Sequence, residues 1–139
     1  MACTLGIDHG SKRIGLAVSD PEGKVALPAG TLESRGLKRD LAAIREVVET
    51  RQVDRIVVGL PVHMDGRAGR QAEAARAFAQ HLARELGLPV DTMDERWTTK
   101  EAERALRETG RKGKQKRAVI DSVAAALLLR TYLEREGSG

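Results

Sequence analysis

Apolar and polar positions alternate at two different periods along this chain. Cys3-Thr4-Leu5-Gly6-Ile7 is an apolar run that ends at Asp8 and turns through His9, Gly10 and Ser11. From Arg13 to Val18 the apolar residues fall at Ile14, Leu16 and Val18, the period-2 pattern of a strand with one covered face. Asp20-Pro21-Glu22-Gly23 is a turn signal, and Val25 to Leu32 reads as a third, Pro-interrupted strand. Two tight connections in succession predict an antiparallel meander. The period then changes. Leu37, Leu41, Ile44 and Val48 have helical spacing and predict an amphipathic helix over 37–51. Arg55 to Leu60 is a continuous apolar strand of the kind buried on both faces of a sheet. A Gly-rich loop from Pro61 to Gly69 follows. Ala75, Phe78, Ala79, Leu82 and Leu86 then mark a second helix, stopped by Gly87 and Pro89.

Pro89 to Met93 predicts a fifth strand, ending in Asp94-Glu95-Arg96. Thr98 and Glu101 have capping-box spacing, so a helix is expected to start there and to end at Gly110. Arg111 to Arg117 reads as a Gly-containing basic loop, and a last helix is expected from about Ala118 to Arg135. This order describes an α/β protein with a mixed five-stranded sheet, three antiparallel strands then two parallel ones, flanked by helices.

Length changes this picture little: 139 residues suit one domain, expected over 1–136 with a flexible tail at 137–139. A hydrophobic fraction of 41% supports a packed core. No apolar run approaches the roughly 20 residues that a spanning helix needs, so no membrane is expected. Cys3 stands alone, which excludes an internal disulfide framework and suits a reducing cytoplasm. No basic-then-apolar leader precedes the first strand. The net charge of +4 allows a polyanionic partner without establishing one.

The candidate chemistry lies where acidic residues interrupt apolar segments. Asp8 ends the first strand, Glu95 follows the fifth, and Asp121 lies among Val119, Ile120, Val123, Ala124, Ala125 and Leu127. A buried carboxylate needs a partner, because an unpaired buried polar group costs about 2–7 kcal/mol even when neutral. Taken singly, each acid has an ordinary reading. Asp8 could be a turn residue, Glu95 could pair with Arg96, and Asp121 could cap a helix or pair with the basic loop. Taken together, two adjacent strand ends and a covering helix would offer hard oxygen ligands suited to Mg²⁺ or Mn²⁺.

Gly6, Gly10 and Gly15 would let a phosphate backbone approach the first hairpin, where Lys12 and Arg13 could meet it. An ordinary hairpin with solvated cations is the alternative. The run Arg111-Lys112-Gly113-Lys114-Gln115-Lys116-Arg117 suits nonspecific phosphate gripping, or is simply a solvated loop. Phe78 falls on an apolar helix stripe, and Trp97 could wedge against a base or pack under its loop. With only Phe78, Trp97 and Tyr132 as aromatics, recognition should read backbone and shape more than bases.

Gly6-Ile7-Asp8-His9-Gly10-Ser11-Lys12-Arg13-Ile14-Gly15-Leu16-Ala17-Val18-Ser19-Asp20 resembles the opening signature of the YqgF/RuvX family. Val58-Gly59-Leu60-Pro61 with Met64-Asp65-Gly66, then Asp94-Glu95-Arg96 with Thr98-Thr99, resemble its middle motifs. Asp121 to Leu129 resembles its closing helix. The motifs stand in family order from Leu5 to Leu133. The resemblance implies a ribonuclease H-like fold and a metal-dependent nuclease, assigned to trimming the 5′ end of the 16S ribosomal RNA precursor and also described as Holliday-junction-resolvase-like. It carries the family's acidic site over to Asp8, Glu95 and Asp121. His63 stands where Asn is common, and Arg67-Ala68 replaces a more usual small-or-acidic pair, so substrate preference is where a departure would show.

The expected chemistry is phosphodiester hydrolysis assisted by Mg²⁺ or Mn²⁺ at Asp8, Glu95 and Asp121. Lys12, Arg13 and Arg96 would hold nearby phosphates, with Lys114 and Lys116 gripping further out. The partner would be an RNA precursor or branched DNA, and the protein a monomer or a homodimer. A resolvase of four-way junctions and a non-catalytic ribosome-assembly factor are the rival readings. A sugar-kinase-like or actin-like ATPase shares the Gly-x-Asp-x-Gly hairpin, but such enzymes close two domains on the nucleotide and this chain has room for one.

Overall fold

The computed structural model describes residues 3–10, 12–20, 22–60, 69–94 and 113–137, with the backbone alone in 113–121 and 136–137. The chain runs β1 (Thr4–His9), β2 (Arg13–Ser19), β3 (Ala26–Glu33), α1 (Leu37–Arg51), β4 (Arg55–Leu60), α2 (Arg70–Leu86), β5 (Val90–Asp94) and α3 (Gly113–Gly137). The strands form one sheet in the order β3-β2-β1-β4-β5. β1 pairs antiparallel with β2, and β2 with β3, while β1–β4 and β4–β5 are parallel. This is the mixed sheet that the two tight turns and the later strand-helix alternation predict.

Each turn has a local cause. Between β1 and β2 the Gly10 N–H donates to the Arg13 carbonyl at 2.9 Å, and a Cβ on Gly10 would stand 2.6 Å from that oxygen. Only glycine fits there. Between β2 and β3 the Asp20 carboxylate accepts the Lys24 N–H at 2.7 Å and the Val25 N–H at 2.9 Å, and Gly23 supplies a φ of 71°. After β3 the buried Asp40 accepts the Ser34 hydroxyl at 2.6 Å and the Arg35 N–H at 2.9 Å, tying the start of α1 to the strand before it. α2 ends on Gly87 in the left-handed region, whose N–H donates to the Ala83 carbonyl, and Pro89 follows.

The two sheet faces bury different helices. Leu5, Ile7, Ile14, Leu16, Ile56 and Val58 pack with Ile44 of α1 and with Phe78 and Leu82 of α2. Ala17, Val57 and Met93 pack on the other face with Ala125, Leu128, Leu129 and Tyr132 of α3. The alternation along β4 explains its unbroken apolar sequence, since both faces are covered.

Two expectations are corrected. Residues 113–117 are helical, so α3 begins at Gly113 rather than near Ala118, and Lys114 and Lys116 lie at its start rather than in a loop. Lys, Gln and Arg are good helix formers, and one glycine at the end of a helix does not outweigh them. The ends of β1 and β5 are also not adjacent, because β4 enters the sheet between them. The helix expected from Thr98, and most of the loop at 61–69, lie outside the described residues.

The Asp20 carboxyl is held below its ordinary value of 3.8, chiefly by the Val25 N–H. Its ionised form therefore favours the folded state above pH 3.8, and that contribution fades as the pH falls through the depressed native value. Asp20→Asn should melt earlier than the wild type near neutral pH, with the gap closing in acid. Thermal melts across that range check it, and a gap independent of pH would contradict it.

Candidate active site

Asp8 is the penultimate residue of β1 and stands at the carboxyl end of the parallel pair β1–β4, where open sheets place their crevices. Its cross-strand neighbours are Gly15 in β2 and Gly59 in β4. Paired residues share a sheet face, so the positions directly opposite the half-buried Asp8 on both neighbouring strands are glycines. Glycine within a strand costs stability, and here two buried glycines flank one acid. Met93 in β5, opposite Gly59, completes the same row and is buried under α3.

Gly6 lies on the same face two residues earlier. A Cβ there would stand 2.9 Å from the Leu129 Cβ and 3.1 Å from the Ala125 carbonyl, so α3 rests directly on β1. Side chains tether the helix along its length. The Ser122 hydroxyl donates to the Leu16 carbonyl at 3.4 Å, near the carboxyl end of β1, where Leu16 pairs with Ile7. At the other end the Tyr132 hydroxyl donates to the Asp91 carboxylate and accepts from the Arg55 guanidinium at 3.2 Å. Burial, and then the Asp91 carboxylate, push the Tyr132 phenol up to about 12, so it remains a donor at physiological pH. α3 therefore runs antiparallel to β1, and its residues before Ser122 approach the end where Asp8 stands. Position 121 is one helical turn before Ala125, in line with 125, 128 and 132.

His9, next along β1, faces the opposite layer. Its ring stacks on Phe78 of α2 with centroids 4.6 Å apart and planes 29° apart. Burial lowers the His9 pKa, against the opposing pull of the Asp40 and Asp8 carboxylates. The sequence marks Phe78 as core but gives no sign of this partner, because the stack depends on how α2 is phased beneath a strand some 70 residues earlier. It clamps the end of the Asp8 strand from below.

The turn after Asp8 exposes Lys12, while Arg13 is half-buried opposite Glu33. Both cations thus stand at the Asp8 end of the sheet, as the sequence predicts. The end of β5, after which Glu95 follows, is two strand spacings from β1, about 9–10 Å. Glu95, Arg96, His63 and Trp97 lie outside the described residues, and Asp121, Lys114 and Lys116 are described by their helical backbone alone. Among the described residues no three His, Cys, Asp or Glu groups gather at one point. Asp8, Glu95 and Asp121 all carry hard carboxylate oxygens, the donor chemistry that suits a divalent cation.

The family model described as "RuvX: Holliday junction resolvase" matches residues 2–135. A protein of Moorella thermoacetica named "Putative pre-16S rRNA nuclease" is 50% identical over 133 residues, covering 96% of this chain and 95% of that protein. A protein of the same name from Koribacter versatilis is 44% identical over 133 residues, covering 96% and 87%. Among solved structures, T. thermophilus RuvC in complex with a Holliday junction substrate aligns with a TM-score of 0.64 at 19% identity, over 100% of this chain and 98% of that one. The Fowlpox virus Holliday junction resolvase aligns with a TM-score of 0.58 at 11% identity, over 96% and 99%. These structures share the ribonuclease H-like fold with this chain.

Gly6→Ala should force α3 off β1, because the atoms met include a helix carbonyl that cannot rotate away. Overpacking of this kind costs roughly 1–3 kcal/mol. Urea denaturation measures it, and an unchanged midpoint would contradict the close approach.

Proposed function

This chain belongs to the RuvX family, and on that premise we propose that it is a divalent-metal-dependent nuclease that hydrolyses phosphodiester bonds at the 5′ end of the 16S ribosomal RNA precursor. The observation that carries the site is Asp8, set between two glycines at the carboxyl end of β1 with α3 descending towards it. Asp8, with Glu95 and Asp121, would hold Mg²⁺ or Mn²⁺ as carboxylate ligands. A cation bound there supplies Lewis-acid polarisation of the phosphoryl oxygen and makes an attacking water more acidic.

The chain's own residues do the rest. No Cβ stands directly opposite Asp8 at Gly15 or Gly59, which would favour the close approach of a phosphate. Lys12 and Arg13, from the turn that Gly10 permits, are placed to neutralise that phosphate or its neighbour. Arg96 is proposed to join them, with Lys114 and Lys116 meeting phosphates further along. His9 takes no part in proton transfer in this reading, since it faces the other layer against Phe78, where its stack holds the strand that presents Asp8.

RNA is favoured as substrate by the names of the relatives. The family description and the junction-bound RuvC support a second reading, resolution of four-way DNA junctions, which would call for a symmetric dimer cutting two related strands. A trimming enzyme could act as a monomer. Among the described residues no helix is long and apolar enough to cross a membrane. A ribosomal precursor would be met in the cytoplasm, where Cys3 stays reduced.

Cleavage of a 16S leader RNA, a single-stranded RNA and a four-way DNA junction, with Mg²⁺, Mn²⁺ or EDTA, tests the proposal. Cutting of the leader that needs metal and falls at least 100-fold in Asp8→Asn is expected. Paired symmetric nicks in the junction alone would favour the resolvase, and binding without cutting would favour an assembly factor. A folded Asp8→Asn protein that cuts like the wild type would overturn the site.

A further inference from the structure

The cations assigned above belong to the β1–β2 turn and to segments outside the fully described residues. A separate basic surface adjoins that turn on the α1 side of the sheet. The Ser34 N–H donates to the Lys12 carbonyl at 2.9 Å and Arg13 sits opposite Glu33, so residues 33–40 are laced to the turn that follows Asp8. This segment exposes Arg35, Lys38 and Arg39. Of its two carboxylates, Asp40 is only 5% exposed and accepts the Ser34 hydroxyl and the Arg35 N–H. Glu33 is exposed and lies 3.8 Å from the Arg35 guanidinium, a contact too open to cancel it. The corner thus exposes four cations, Lys12, Arg35, Lys38 and Arg39, beside the half-buried Arg13, and Glu33 is the one exposed carboxylate of residues 33–40.

We propose that Arg35, Lys38 and Arg39 form an outer binding surface for the phosphate backbone of the nucleic-acid substrate, continuous with the Lys12–Arg13 turn. The inference rests on the nuclease reading. A polymer whose scissile phosphate lies at Asp8 must leave the carboxyl end of the sheet, and the exit past the β1–β2 turn crosses this corner. The structural reason for a buried Asp40 is then plain. It organises the corner through backbone and hydroxyl donors while placing no exposed acid in the path. The three side chains extend from an extended residue and from the first turn of α1, and Phe78 and Tyr132, the aromatics among the described residues, are both buried. The surface would therefore grip phosphates without reading bases.

The test is the salt dependence of binding to a 16S leader RNA and to a four-way DNA junction, in EDTA so that no cutting occurs. The wild type is compared with Arg35→Gln/Lys38→Gln/Arg39→Gln and with a control, Arg76→Gln/Arg84→Gln/Arg130→Gln, that removes the same charge from exposed positions elsewhere. Each phosphate contact in a single strand contributes about 0.7 to the slope of log K against log salt, so the corner variant should show a slope shallower by about 2 on RNA. Its affinity should fall at least tenfold near 0.1 M salt while the control stays within about threefold of the wild type. All three proteins should melt alike, since the side chains are exposed. Equal slopes and affinities for the two variants would overturn the inference alone. A wild type that binds neither nucleic acid would overturn the nuclease reading and the inference with it.

Discussion

Helix α3 can lie on β1 because residue 6 has no side chain. A methyl group there would meet Leu129 at 2.9 Å and the Ala125 carbonyl at 3.1 Å, so the helix would have to lift or slide. Much else follows from that contact. It buries Ala125, Leu128 and Leu129 against Ala17 and Val57, making the second of the two cores. It also sets the height at which the first turns of α3 approach the carboxyl ends of the strands. The Tyr132 hydroxyl, shared between Arg55 and Asp91, fixes the far end of the same helix, so α3 is held along its length.

The same strand serves both layers. Gly6 and Asp8 face α3, while Leu5, Ile7 and His9 face α1 and α2. A one-residue slip of β1 would turn Asp8 into the larger core and drive bulky side chains against α3 where only Gly6 fits, a cost that pins the register. Glycine then stands opposite Asp8 on both neighbouring strands and in the turn that carries Lys12. The stability given up at these glycines is offset by strands buried on both faces.

Strands and helices were largely legible because their periods are clean. Arg55 to Leu60 is the two-faced strand and Leu37 to Arg51 the helix that their spacing predicts, while Ile14, Leu16 and Val18 mark β2 but miss its second covered face, where small Ala17 packs under α3. The start of α3 was not legible, because a glycine among cations reads equally as a loop or as a helix end. Spatial order was harder still. Nothing in the chain says that β4 inserts between β1 and β5, so the ends of these two strands read as neighbours when two strand spacings separate them. For the site, the placement of Asp8, Lys12 and Arg13 at one end of the sheet follows from a local hairpin. The glycines opposite Asp8, the His9–Phe78 stack and the Asp40-organised corner are products of register and helix phase, which no single stretch of sequence contains.

The proposed function turns on three carboxylates holding divalent metal at the end of β1, and metal binding tests that most directly. Electron paramagnetic resonance would follow the loss of the free Mn²⁺ signal as the wild type, Asp8→Asn, Glu95→Gln and Asp121→Asn are titrated, with circular dichroism to confirm folding. The account predicts one or two bound Mn²⁺ in the wild type and at least tenfold weaker binding in each folded variant. Variants that bind Mn²⁺ as the wild type does would contradict it.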